Sequence, residues 1–143
     1  MDKPIEKHIT TYLKSQSRNK VVLFKENIFD FKPINVGHIL SQALYNLKDK
    51  DKLPMLVSKE LNTILNASIT DHSNYGRMLA ISNLGILLEP DLKQDINSLF
   101  EKYSNNNVLF VQWEGELDHN NLYFLTKEKG IIINIKNLSH IAI

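Results

Sequence analysis

Four short apolar runs punctuate this chain: Val21–Phe24, Met55–Val57 behind Pro54, Met78–Ile81 and Val108–Val111. Such runs, without polar alternation, suit strands covered on both faces, as in parallel sheets flanked by helices. The stretches between them carry apolar residues at helical spacing. Ile5, Ile9, Tyr12 and Leu13 share one face of a helix predicted over residues 4–17, with Pro4 in its first turn. Ile39, Leu40, Ala43, Leu44 and Leu47 form a second stripe, and the charged run Lys48–Lys52 ends it as a solvated turn. Ser58 can cap a brief helix carrying Leu61, Ile64 and Leu65, and Asp95 one carrying Ile96, Leu99, Phe100 and Tyr103. Residues 66–75 read as polar and irregular.

The C-terminal third has another character. Leu117 is followed by a turn at Asp118-His119-Asn120-Asn121, then Leu122–Leu125, a second turn at Thr126–Gly130, and Ile131–Ile135. Short polar loops between apolar runs predict an antiparallel β-meander. Ile131–Ile135 and Ile141-Ala142-Ile143 read as core strands or, alternatively, as an exposed sheet edge awaiting a partner. At 143 residues, against about 150 per domain, the expectation is one domain over 1–143. Its fold class is α/β: a three-layer sandwich with a mostly parallel core sheet and a C-terminal antiparallel β-meander.

Composition removes several function classes. Seventeen Lys and Arg against sixteen Asp and Glu leave a net charge of +1, so no global field draws in nucleic acid or anionic membrane. The only arginines are Arg18 and Arg77, poor equipment for reading bases. The absence of cysteine excludes disulfides, thiolate-held zinc, iron–sulfur clusters and thiol catalysis. No signal-peptide core opens the chain, and no apolar run approaches the roughly 20 residues a membrane span needs. A cytoplasmic protein is expected.

The most specific string lies within Met78–Leu125. It reads Ile81-Ser82-Asn83-Leu84-Gly85-Ile86-Leu87-Leu88-Glu89-Pro90-Asp91-Leu92-Lys93-Gln94-Asp95, then Tyr103-Ser104-Asn105-Asn106-Asn107, then a strand ending Gln112-Trp113-Glu114-Gly115-Glu116. This resembles the small P-loop proteins of type 3 BREX phage-defence systems, the BrxF family. There a Walker B strand runs into Asp-Asn and an Asp-Pro-x-Leu-Lys-x-Asp segment, followed by a Ser-Arg-Asn turn and Trp-x-Gly. The match covers about a third of the chain. The resemblance implies a P-loop NTPase-like fold and, as partners, the larger components of such a complex: a methyltransferase, a helicase-like ATPase and a PglZ-type protein.

Three chemical parts of that family are altered. A phosphate loop needs Gly-x-x-x-x-Gly-Lys-Ser/Thr, whose backbone amides wrap the phosphates and whose Lys reaches the β and γ oxygens. Between Phe24 and Ile39 the single glycine is Gly37, and Glu26 and Asp30 add negative charge. Lys32 could stand in for the lysine, with Asn35, Val36, Gly37 and His38 as a degenerate loop, although Pro33 supplies no N–H. Ser82 occupies the Walker B acid position and forfeits the charge that anchors magnesium. The arginine of the Ser-Arg-Asn turn is replaced by Asn105.

The resulting expectation is a non-catalytic adaptor or scaffold subunit of a BREX-like complex, without cofactor, touching DNA only indirectly. Glu89, Asp91, Lys93, Asp95 and Trp113 are candidates for partner contact. The plainer reading gives Pro90 and Asp95 to helix starts and Trp113 to the core. The rival functions are a nucleotide-binding protein or ATPase using Lys32 and Asn35–His38, and a DNA-contacting module using Lys3, Lys7 and Lys14 of the first helix. The histidines at 8, 38, 72, 119 and 140 form no metal-ligand spacing. Asp71-His72-Ser73 reads as a loop, since adjacent side chains diverge. Glu114, Glu116 and Asp118 could alternate on a strand, as paired carboxylates or as a solvated edge.

Overall fold

The computed structural model describes residues 3–45, 51–125 and 130–143. Helix α1 (Lys3–Leu13) leads to β1 (Lys20–Phe24), β2 (Ile34–Asn35), α2 (Val36–Tyr45), α3 (Leu53–Ala67), β3 (Thr70–His72) and β4 (Gly76–Ser82). Two 3-10 turns, Gly85–Leu88 and Pro90–Leu92, precede α4 (Ile96–Ser104), β5 (Val108–Gln112), β6 (Asn121–Leu125), β7 (Gly130–Asn134) and β8 (Ile141–Ala142). The central sheet runs β2-β4-β5-β1-β8, all parallel, with β3 antiparallel on the amino-terminal half of β4. Lys20, Val108 and Met78 stand side by side across β1, β5 and β4.

Both faces of those strands are covered, which is why their sequences are apolar throughout. Val21, Leu23, Leu79, Ile81, Leu109 and Val111 pack against α2, α3 and α4 through Leu40, Val57, Leu61, Leu65, Ile96 and Phe100. Val22, Phe24, Met78, Ala80, Val108 and Phe110 point the other way, to Ile9 of α1 and to Phe29 and Phe31 of the segment after β1. These layers and the mainly parallel sheet match the α/β expectation. Among the described residues no helix is long and apolar enough to cross a membrane.

Several local readings are corrected. Residues 54–57 are not a strand but the opening of α3, with Pro54 in its first turn. Val57, Leu61, Ile64 and Leu65 keep one helical stripe, and an isolated apolar run is too short to separate the two periods. Helix α1 stops at Leu13, where the Lys20 ammonium donates to the Ser15 carbonyl (2.7 Å) and the Ser17 hydroxyl (2.7 Å) and ties down the turn. Residues 66–75 contain β3, too short and polar to show in the pattern.

The β-meander is also corrected: β6 and β7 form a separate two-stranded hairpin, and the chain then returns to the central sheet as β8 beside β1. Buried Ile135 and Leu138 turn it there, and the Ile143 amide donates to the Leu23 carbonyl at 2.9 Å. Of the first segment, Ile131 and Ile132 stay 43% and 57% exposed while Ile135 is buried; Ile141–Ala142 pair with β1 as the outermost strand of the central sheet, so each of the two readings holds in part. Leu47 and the Lys48–Lys50 part of the predicted turn, and Thr126–Lys129, lie outside the described residues.

Candidate functional site

Ligands of open parallel sheets sit outside the carboxyl ends of the strands, where neighbouring strands send their connections to opposite sides. Here β1 leads towards the β2 edge and β5 towards the β8 edge, so the divergence falls between β1 and β5. That gap is closed by the protein itself. The Trp113 amide donates to the Phe24 carbonyl (2.9 Å), and the Gln112 side chain donates through Nε2 to the Lys25 carbonyl (3.0 Å). The open space lies one strand over, a cleft of about 290 Å³ at the ends of β4 and β5. Leu84, Trp113 and Phe124 supply its apolar surface, Asn83, Gln112 and Glu114 its polar rim.

Trp113 and Gly115 make this end of the sheet. The Trp113 indole N–H donates to the carbonyls of Glu116 (3.2 Å) and Tyr123 (3.1 Å), bolting the hairpin to β5. A Cβ on Gly115 would lie 2.0 Å from the Tyr123 carbonyl oxygen, so only glycine fits. Trp113 is 3% exposed, the core reading, and presents almost no surface to a partner. Glu114, Glu116 and Asp118 do not share a strand face: only Leu117 bridges to Leu122. Asp118 instead holds the turn, its Oδ1 accepting from the Asn120 and Asn121 amides at 3.0 Å and its Oδ2 from the Tyr123 hydroxyl. That bond, with burial adding to it, raises the Tyr123 phenol above its ordinary pKa.

The residues expected to cradle phosphate sit elsewhere. Asn35, Val36, Gly37 and His38 form the β2–α2 junction, at the sheet edge beyond β4 and three strands from β1. Lys32 is exposed in the segment before it. A helix amino terminus offers free amides to anions, but here the chain fills it. The Gly37 amide donates to the Asn83 carbonyl (2.9 Å) and the His38 amide to Asn35 Oδ1 (2.9 Å). Asn83 Nδ2 donates to the same Asn35 oxygen at 2.8 Å, and Asn83 adopts a φ of 56° that asparagine tolerates well. Gly37 is required because a Cβ there would stand 2.7 Å from Asn83 Nδ2.

Ser82 donates its hydroxyl proton to the Ile34 carbonyl (3.0 Å) and so pins β2 to β4, a bond that a carboxylate could not make. Asn105 follows α4 at the amino end of the sheet, next to the start of β5. An arginine there would lie roughly 16 Å from the cleft at the other end of the strand, so its replacement does not bear on a ligand at the carboxyl ends.

Glu89, Asp91 and Lys93 are exposed on the two 3-10 turns, which Leu87 and Leu92 anchor in the core. Asp95 caps α4, accepting from the Ser98 amide at 3.2 Å. Between them, Gln94 was invisible as a structural residue. Its Nε2 donates to the Leu92 carbonyl (2.8 Å), the Ser58 hydroxyl (3.1 Å) and the Pro54 carbonyl (3.3 Å), fastening the acidic segment to α3. Ser58 therefore serves this bridge inside α3 rather than a cap.

His72 pairs not with Asp71 but with Asp30, Nε2 to Oδ1 at 2.8 Å. Its Nδ1 accepts from the Asn74 amide (3.0 Å), which leaves the proton on Nε2 to donate. That hydrogen bond holds the Asp30 carboxyl below the usual carboxylate range. The pair latches the segment after β1 to β3. Among the described residues, no group of three or more His, Asp or Glu side chains could hold a metal ion. No protein-family model matches the chain, and no curated protein or solved structure matches it.

Proposed function

We propose that this chain is a non-catalytic, P-loop-like subunit that acts as an adaptor in a BREX-like anti-phage assembly in the cytoplasm. The strand order supports a P-loop ancestry. In chain order the parallel strands stand 2-3-4-1-5, so one strand, β5, separates the opening strand from the strand that ends at Ser82. This is a layout of P-loop ATPases with an added strand between the phosphate-loop and Walker B strands.

The observation that carries the proposal is the connection from β1 to β2. A parallel crossover usually takes a dozen or more residues and a helix. Here residues 25–33 make it alone, nine residues without a helix and without a glycine. Phe29 and Phe31 stack on each other (4.7 Å between ring centroids) and cover the sheet face through Phe110. The phosphate loop and its helix have no residues to form from, and α2, which sequence alone puts in that role, belongs to the next strand. The exposed Glu89, Asp91 and Lys93 then form the contact surface, held rigid by Gln94.

Two measurements test this. Saturating magnesium-ATP at 100 times its dissociation constant would stabilise a binder by about 2.7 kcal/mol, a rise of roughly 5–10 °C in melting temperature. No rise is expected, and a clear one overturns the proposal. Tagged protein expressed with the defence components should retain one of them, and Glu89→Lys with Asp91→Lys should release it without lowering the melting temperature. Retention of none also overturns the adaptor role.

A further inference from the structure

The polar rim of the cleft at the ends of β4 and β5 presents acceptors. Gln112 Nε2 faces a backbone carbonyl, that of Lys25, which only the nitrogen end of the amide can satisfy. Asn83 Nδ2 faces Asn35 Oδ1, an oxygen already identified by the His38 amide that donates to it. Both amides are therefore fixed with nitrogen turned to the protein. Their oxygens, with the Glu114 carboxylate, meet no protein donor among the described residues. No cationic side chain among those residues lines the cleft, and its apolar wall is the half-buried Phe124, with Leu84 and Trp113 almost covered behind it.

We infer that this cleft receives the guanidinium of an arginine side chain from a protein partner. A guanidinium brings donors only, in a planar fork that can reach separated oxygens while its face rests on an aromatic ring. A phosphate, nucleotide or carboxylate would instead meet Glu114 and two carbonyl oxygens. A free amino acid carries a carboxylate that the Glu114 carboxylate repels, whereas an arginine inside a polypeptide carries none. This deepens the adaptor reading by naming what a partner presents, and the two can fail separately.

Trp113 is the chain's single tryptophan, so its fluorescence and its indole N–H resonance report the cleft directly. The probes are N-acetyl-arginine amide, its neutral isostere N-acetyl-citrulline amide, free arginine and magnesium-ATP. A blocked single residue should saturate the tryptophan signal with a dissociation constant of about a few millimolar. Citrulline amide and free arginine should bind at least about threefold more weakly, and Glu114→Gln should weaken the arginine probe by about three- to fivefold. Glu114 is exposed, so the variant should melt with the wild type, and Asn106→Ser, exposed at the opposite end of β5, should bind as the wild type does.

Equal response to citrulline amide, tighter binding of free arginine, or no saturable change by about 50 mM, ten times the expected constant, overturns the inference. A response to ATP alone overturns both it and the adaptor reading. Silence from every probe removes only the arginine site.

Discussion

At the scale of single residues, function-bearing and fold-bearing positions separate cleanly around Trp113-Glu114-Gly115. Trp113 and Gly115 are consumed by the junction between β5 and the hairpin, which leaves Glu114 to face outwards. Gly115→Ala puts a methyl group against a backbone carbonyl that cannot swing away. It should destabilise by about 1–3 kcal/mol, the range of overpacked sites, read as a lower urea midpoint at unchanged slope. Gly76→Ala makes the contrast. Its φ is 75°, but nothing lies within 4 Å, so its cost is backbone strain alone.

Which residues could be read in advance follows from the range of their chemistry. Asp95 and the Asp118–Asn121 turn act on amides two or three positions away, so their roles are written locally. Gln94, Gln112 and Asn83 act on partners far along the chain, and a lone amide in a sequence carries no mark of which end will face the protein. The sequence singled out Trp113-Glu114-Gly115 as a string, but neither the cleft beside it nor its acceptor rim was legible there.

Among the elements, the segment between β1 and β2 matters most, because a parallel crossover has been reduced to a strap. Its hold on the sheet is aromatic: Phe29 and Phe31 approach Phe110 at 5.2 and 4.9 Å between centroids. Truncating Phe31, which is half-buried, should cost about 2–3 kcal/mol, below the 3–5 of a fully buried phenylalanine. Equilibrium denaturation of Phe31→Ala against Lys32→Ala checks this, the second being exposed and neutral. Between Phe29 and Phe31 the strap is latched by Asp30 on His72. A carboxyl whose folded pKa is depressed adds stability that is present above the unfolded value of about 3.9 and is lost as the pH falls through the folded one. Asp30→Asn should therefore melt below the wild type at neutral pH and converge with it as the pH falls below the unfolded carboxylate value and on through the lower folded one, as thermal scans across the acid range would show. Equal melting of the two at neutral pH would mean that the latch contributes nothing. The strap escaped the sequence pattern because β2 exists only by pairing with β4, at Ile34 with Ile81, and two residues carry no periodicity. The misread strand at 54–57 has the same origin: its neighbours, not its own residues, decide the period.

For the molecule as a whole, the alternation of apolar runs with helical stripes was enough to give the layered α/β body. It was not enough to give the strand order, which depends on long-range pairing. That order makes the stability of the protein uneven. β4, β5 and β1 are paired on both sides and buried on both faces, with Leu79, Leu109 and Val21–Leu23 fully enclosed. The β6–β7 hairpin is a sheet of two strands, and Ile131 and Ile132 face water. Amide hydrogen exchange should separate the two. The central strands should exchange only through global unfolding, so the denaturant dependence of their rates should equal that of the whole molecule. The β7 amides should exchange at least about a hundredfold faster, through local opening with little denaturant dependence. Trp113 stands at the border, since its indole donates to the Tyr123 carbonyl of β6 while its backbone amide extends the β5–β1 ladder. Replacing it with phenylalanine removes the indole donor and keeps the ring. The hairpin's protection should then fall while that of β1, β4 and β5 is preserved, and an equal loss in both would show that hairpin and sheet open as one unit.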